Sequence, residues 1–91
     1  MLVLSRVVGE SVVIGDHCIV TVVAIRGIWA DICITVHASP TERRTSSLGR
    51  NDRMDVQEEV AIVLVDLRPD FVRIGVEAPR TMKVRRFEIE P

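Results

Sequence analysis

Valine and isoleucine are concentrated in short runs, and this β-branched bias limits the possible folds more than any other feature. Helix formers are sparse in the runs, and β-branched side chains favour extended backbone, so each run predicts a strand. Turn-forming glycine and proline residues separate the runs at short spacing. The sequence therefore predicts an all-β, antiparallel fold with strands near residues 2–7, 11–14, 17–26, 29–37, 57–67, 71–78 and 81–86.

Residues 38–55 interrupt this pattern, because they are polar, basic and almost free of large apolar side chains. Their composition predicts a long mobile loop. Residues 17–39 and 59–79 share a faint outline of strand, turn and strand, but their identity is low. We interpret the chain as one domain spanning residues 1–91, with an extra β-hairpin and a long polar loop inserted within residues 17–58.

The charge balance excludes a generic polycation, because 12 basic and 13 acidic residues give a formal charge of −1. Any binding to nucleic acid must then come from a local patch. No apolar run approaches the ~20 residues of a membrane-spanning helix, so no membrane partner is expected.

Candidate catalytic and metal-binding groups do not converge. A hairpin around residues 27–28 would place Cys18 opposite His37, and Cys33 opposite Val22. The thiols would then be separate, reduced and buried, which is typical of a cytoplasmic protein. His17 and His37 supply too few ligands with these thiols for a metal. We expect no enzyme activity, no metal and no cofactor.

Residues 80–86 carry four cations and no acid, which makes them the unusual segment of the chain. On a strand, Arg86 would share one face with Val84, and Arg85 would share the other face with Lys83. Cations on both faces cannot all be buried, so this strand needs an open edge or face. Such an edge either discourages aggregation or binds phosphates and guanine edges through arginine. A second cluster, mixed with acids, predicts a solvated loop and consists of Arg43, Arg44, Arg50 and Arg53.

Both ends of the chain resemble the carbon storage regulator (CsrA/RsmA) family. The opening matches at residues 1–6 (Met-Leu-Val-Leu-Ser-Arg), 8–10 (Val-Gly-Glu) and 14–16 (Ile-Gly-Asp). The close matches at residues 72–79 (Val-Arg-Ile-Gly-Val-Glu-Ala-Pro) and 84–89 (Val-Arg-Arg-Phe-Glu-Ile). Residues 1–16 joined directly to residues 59–91 would give a chain of family length.

The resemblance implies a strand-exchanged, intertwined homodimer, in which the first strand of one chain lies beside the last strand of the other. It implies a post-transcriptional regulator that binds GGA-containing hairpin loops in mRNA leaders and represses translation or alters mRNA stability. The implied partners are single-stranded or hairpin mRNA, small regulatory RNA and a protein antagonist. Arg86 matches the family's key arginine, and the RNA-binding residues carried over by position are Leu4, Arg6, Arg80, Val84, Arg85 and Arg86.

Two other functions stay open at this point. The inserted strands could block the RNA edge and leave a protein-interaction module, which the net charge and the apolar insert strands would suit. A DNA-binding β-ribbon is the weaker alternative, because no segment offers regular outward polar side chains for a major groove.

Overall fold

The computed structural model describes residues 1–16, 18–36 and 43–87, with the backbone alone at residue 87. Within these residues the fold is all-β, as the β-branched runs predict. The strands are β1 (Leu2–Arg6), β2 (Ser11–Ile14), β3 (Cys18–Arg26), β4 (Trp29–Val36), β5 (Arg43–Leu48), β6 (Arg53–Gln57), β7 (Val60–Leu67), β8 (Val72–Glu77) and β9 (Val84–Phe87).

The strands form two antiparallel sheets that share one apolar core. The four-stranded sheet has the order β1-β8-β7-β6, and the five-stranded sheet has the order β5-β4-β3-β2-β9. Alternating side chains of both sheets meet in a single cluster that contains Ile14, Ile34, Leu64 and Ile74, each almost fully buried. Because apolar residues recur at every second position, each central strand presents one face to this cluster.

The prediction of a long loop over residues 38–55 is wrong for its described part, because β5 and β6 are both strands. β5 escapes an apolar pattern since it is an edge strand with most side chains exposed. Contacts with β4 hold it in place: Ser47 Oγ donates to Asp31 Oδ1 at 2.7 Å, and Leu48 is buried. Residues 38–42 of the predicted loop lie outside the described residues.

The predicted register of the β3–β4 hairpin holds only near its turn. Gly27 has the positive φ, 60°, that the predicted two-residue turn requires. A β-bulge between Val22 and Ala24 then shifts the pairing by one residue. Cys33 consequently lies opposite Thr21, and Cys18 opposite Val36, so the thiols stay apart as expected. His17 and His37 lie outside the described residues.

The strands that the resemblance places between two subunits pair inside one chain here. β1 pairs with β8, and β9 pairs with β2. β1 and β9 therefore lie in different sheets rather than as hydrogen-bonded neighbours. The chain itself supplies the partner strands, because β5 to β8 follow the first four strands.

The pairings repeat at a constant interval of 42 residues. Val20 pairs with Ile34, and the residues 42 positions later, Ile62 and Val76, also pair with each other. The bulge after Val22 recurs after Leu64, and the β1–β8 register recurs in the pairing of β5 with β4.

The turns before β2 and β6 obey the same interval. Gly9 N–H donates to Val22 C=O at 2.8 Å, and Asn51 N–H donates to Leu64 C=O at 2.7 Å. Both Gly9 and Asn51 have positive φ, 94° and 73°. The correspondence of register, bulge and turn shows that β1–β4 and β5–β8 are two copies of one structural unit, so the faint sequence outline has a structural basis.

Candidate nucleic-acid interface

The last strand, β9, forms one edge of the five-stranded sheet. Arg86 is the register partner of Val12, and Val84 is the partner of Ile14. Arg85 and Arg86 are both exposed, although successive side chains of a strand point to opposite faces. Among residues 1–16, 18–36 and 43–87 no strand pairs with the outer edge of β9. The open edge predicted from cations on both faces is confirmed for this part of the chain.

A tight turn delivers the chain to β9 and makes the strand shorter than predicted. Pro79 C=O accepts a hydrogen bond from Met82 N–H at 2.9 Å, and Lys83 C=O accepts one from Gly15 N–H at 2.6 Å. The strand therefore begins at Val84 rather than residue 81. Gly15 is required here for two reasons: its φ is +62°, and a Cβ would lie 2.9 Å from Met82 Cγ.

β1 lies alongside β9 across the gap between the two sheets. The first residues of the chain, Met1 and Leu2, line a groove with Arg80, Met82 and Val84. Met1 and Leu2 are exposed, so the groove has an apolar wall on the β1 side and a basic approach on the β9 side. The structure thus brings the start of β1 next to the start of β9.

The side chain of Arg6 spans the same gap at the other end of β1. Its Nε donates to Ser5 C=O at 2.6 Å, and its Nη1 donates to Ser11 C=O at 3.3 Å. A Glu10 carboxylate oxygen lies 3.7 Å from Arg6 Nε. Ser11 is the register partner of Phe87 in β9, so Arg6 fixes β1 to the neighbourhood of β9.

The six predicted RNA-binding residues divide into two groups. The side chains of Leu4 and Arg6 are 6% and 5% exposed and point into the protein. Val84 is half-buried, whereas Arg80, Arg85 and Arg86 are exposed. The structure therefore brings the residues from the end of the chain to one surface and leaves Leu4 and Arg6 beneath it.

Two further residues belong to this surface. Lys83 is exposed and lines a second groove with Arg85, Thr81 and Asp16. Leu2 contributes the apolar wall described above. Alternation with Leu4 gives the sequence signal for Leu2, since both lie on one face of β1, but only the strand end leaves that face uncovered. None of the four cations at residues 80, 83, 85 and 86 forms an ion pair with a described carboxylate.

The second basic cluster is dispersed and engaged elsewhere. Arg44 Nη2 donates to Val56 C=O at 2.9 Å. Arg53 lies 3.0 Å from a carboxylate oxygen of Glu77, and Arg50 lies 3.6 Å from one of Asp66. This cluster is therefore not part of the β9 surface.

The described residues offer no metal site, since no three His, Cys, Asp or Glu side chains among them could hold an ion. Both cysteines are free. Burial raises the pKa of the Cys18 thiol to about 11, against a smaller opposing effect of Arg44. This thiol stays protonated near neutral pH and does not supply a nucleophile.

Two sheets over one core, with an exposed basic strand beside an apolar groove, define a small β protein suited to a polyanionic ligand. The profile of the CsrA family, described as a global regulator protein family, matches residues 1–40 and 50–91. The chain belongs to this family, and the resemblance seen in the sequence is confirmed.

Several relatives bear the name translational regulator CsrA. The protein from Desulfitobacterium hafniense is 42% identical over 67 residues, which cover 74% of this chain and 83% of that protein. The proteins from Rhodopirellula baltica and Treponema pallidum are 42% and 33% identical over 40 and 39 residues. These two matches cover 44% and 43% of this chain, and 57% and 53% of the relatives, so they span about half the length of each relative. No solved structure matches the chain. In the described ranges there is no helix long and apolar enough to cross a membrane.

Proposed function

We propose that this chain is a translational regulator that binds single-stranded RNA on the surface formed by β9, the turn before it and the start of β1. The observation that carries the proposal is the set of four exposed cations at residues 80, 83, 85 and 86 beside an apolar groove, in a member of the CsrA family. Lysine and arginine neutralise phosphates, and the planar guanidinium can also bond a guanine edge with two parallel hydrogen bonds.

The proposed ligand is a GGA-containing hairpin loop in an mRNA leader, or in a small regulatory RNA, with repressed translation or altered mRNA stability as the result. Arg86 and Arg85 would read guanine edges, while Arg80 and Lys83 would contact phosphates. Single-stranded loops suit this surface because their bases are unstacked and accessible. A homodimer and a protein antagonist are further predictions from the family resemblance.

We assign Leu4 and Arg6 an indirect part in the proposed site. Their side chains are buried, so they position β1 against β8 and β2 rather than meet solvent. Among the described strands nothing pairs with the outer edge of β1, which leaves main-chain groups there to face an RNA base. This division accounts for why both positions recur in the resemblance.

The alternative of a protein-interaction module requires a strand that blocks the RNA edge. In the described residues β5 extends the opposite side of its sheet, beyond β4, and leaves β9 at the far edge. The position of β5 therefore favours RNA over a protein partner at the β9 surface.

The test is binding of a GGA hairpin RNA measured by fluorescence anisotropy, with a scrambled loop and duplex DNA as controls. Arg86→Ala should weaken binding of the GGA hairpin by roughly 10- to 100-fold, in keeping with the loss of one bidentate base contact. Arg50→Ala is the matched control, since Arg50 is exposed and lies beside the Trp29 hairpin. Its affinity should stay within about 2-fold of wild type. Equal affinity of the Arg86→Ala variant and wild type would reject the site.

A second pair of substitutions tests what the other basic cluster contributes. Replacing Arg43 and Arg44 with alanine should reduce the salt dependence of binding without changing the preference for GGA over the scrambled loop. A changed base preference would show that β5 reads sequence and would contradict the assignment to β9.

A further inference from the structure

The 42-residue repeat means that each half of the chain completes its sheet with a strand from the other half. β1 belongs to the first unit but pairs with β8 of the second, and β5 belongs to the second unit but pairs with β4 of the first. The exchange is thus reciprocal and takes place within one polypeptide. β9 stands outside the repeat, because it follows the second unit and no corresponding strand follows the first before β5 begins.

The two equivalent ends of the molecule are consequently unequal. At one end β9 covers the edge of β2, with Val84 opposite Ile14 and Leu2 close to Val84. At the other end the equivalent edge belongs to β6, and no described strand covers it. Counting 42 residues forward, Ile14 corresponds to Val56, and Leu2 corresponds to Arg44.

The contact between Arg44 and Val56 occupies the place that a second copy of β9 would take. Arg44 Nη2 donates to Val56 C=O at 2.9 Å, so a side chain of β5 satisfies a carbonyl at the β6 edge. The residue equivalent to Arg6 is Leu48, which has no guanidinium to cross the gap. Both substitutions remove features of the first end.

The charge at this second end also opposes RNA. A groove beside β6 is lined by Asp55, Glu58, Glu59 and Glu77, with Arg53 as the cation among its lining residues. Arg53 is itself paired with Glu77 at 3.0 Å. A phosphate backbone would meet net negative charge here, which disfavours binding.

We propose that one chain is a closed unit with a single RNA site, formed by β1 and β9, and that the end formed by β5 and β6 binds no RNA. The number of sites rests on the proposed function, whereas the closure rests only on the strand pairings. The proposal replaces the predicted homodimer with a monomer in which two repeats play the part of two subunits.

Native mass spectrometry of the full chain, alone and with increasing GGA hairpin RNA, tests both parts. The free protein should have the 10.2 kDa mass of one chain, and saturation should give one RNA per chain. Isothermal titration calorimetry should give the same 1:1 ratio. A protein of twice this mass, or a complex with two RNAs per chain, would overturn the proposal. A monomer that binds none of the RNA would refute the proposed function and with it the single site, while its mass would still support the closed chain.

A disulfide trap tests the closure independently of RNA. Ser5 and Arg73 are register partners in β1 and β8, and both are exposed. Opposed residues of antiparallel strands have Cα atoms about 4.5–5.5 Å apart, which a disulfide can span. The S5C/R73C variant, oxidised at low protein concentration, should migrate as a single chain on a non-reducing gel. The S5C and R73C single variants are the matched controls for adventitious cross-links, and a covalent dimer formed only by the double variant would refute closure within one chain.

Discussion

Truncation of Leu64 should unfold the whole molecule in one step rather than the four-stranded sheet alone. Leu64 in β7 is 1% exposed and belongs to the core cluster shared by both sheets. Leucine-to-alanine substitutions at such sites cost about 3 kcal/mol or more, from lost burial and from the cavity left behind. With a urea dependence of about 1.5 kcal/mol/M, Leu64→Ala should lower the midpoint of unfolding by roughly 2 M.

The single tryptophan reports on the other sheet. Trp29 lies in β4 of the five-stranded sheet and is 46% exposed. If the two sheets share one core, the fluorescence of Trp29 and the far-UV circular dichroism should change together in the Leu64→Ala variant, with an unaltered slope. Val23→Ala is the matched control, because Val23 is 48% exposed, and it should change stability by no more than about 0.5 kcal/mol. An early circular dichroism transition that leaves Trp29 fluorescence at its wild-type midpoint would refute the shared core.

Three further results are expected. Arg6→Ala should lower the free energy of unfolding by about 3 kcal/mol, seen in urea titrations, because it leaves two main-chain carbonyls without their guanidinium donor. Hydrogen bonding from Arg26 holds the pKa of Asp31 below its usual value, so its stabilisation is present above the unfolded pKa of ~3.9 and is lost as pH falls through the folded pKa. Asp31→Asn should consequently lose less stability than wild type between about pH 5 and pH 3, and equal losses in urea titrations would contradict this pairing. In a Cys33→Ser variant, Cys18 should not react with a thiol reagent at about pH 8 until urea unfolds the chain, because burial raises its pKa to about 11.

Most strands could be predicted from the sequence because their core-facing residues are β-branched and alternate with less buried ones. β8 shows this best, since Val72, Ile74 and Val76 all reach the core. β5 could not be predicted in this way. Its side chains are almost all polar, and it is held by a neighbour's carboxylate, Asp31, and by its single buried residue, Leu48.

The repeat was visible in the sequence only as an outline, for a physical reason. Backbone pairing fixes the 42-residue interval, while the core tolerates any apolar side chain of suitable volume at equivalent positions. Val20 and Ile62 are equivalent by register yet differ in identity. The sequence therefore favours an inserted hairpin, whereas the hydrogen-bond register reveals a second copy.

The candidate site was predicted in part. The basic segment at its centre is recognisable from charge alone, because four cations occur within residues 80–86. Burial of Arg6 could not be predicted, because it depends on carbonyls that β2 brings within reach only in the folded chain. The same is true of Leu2, whose exposure follows from its position at the end of β1.

The pairing of the first strand with a late one sets the order in which this protein can form during synthesis. Leu2 lies opposite Val76, so β1 has no partner until nearly the whole chain has left the ribosome. β2 likewise waits for β9, the last described strand. Contacts between residues so distant in sequence make folding slow, and they leave strand edges exposed in the nascent chain. A ribosome-bound fragment ending before β8 would hold β1 without its partner strand, and folding of the four-stranded sheet would be a post-release event.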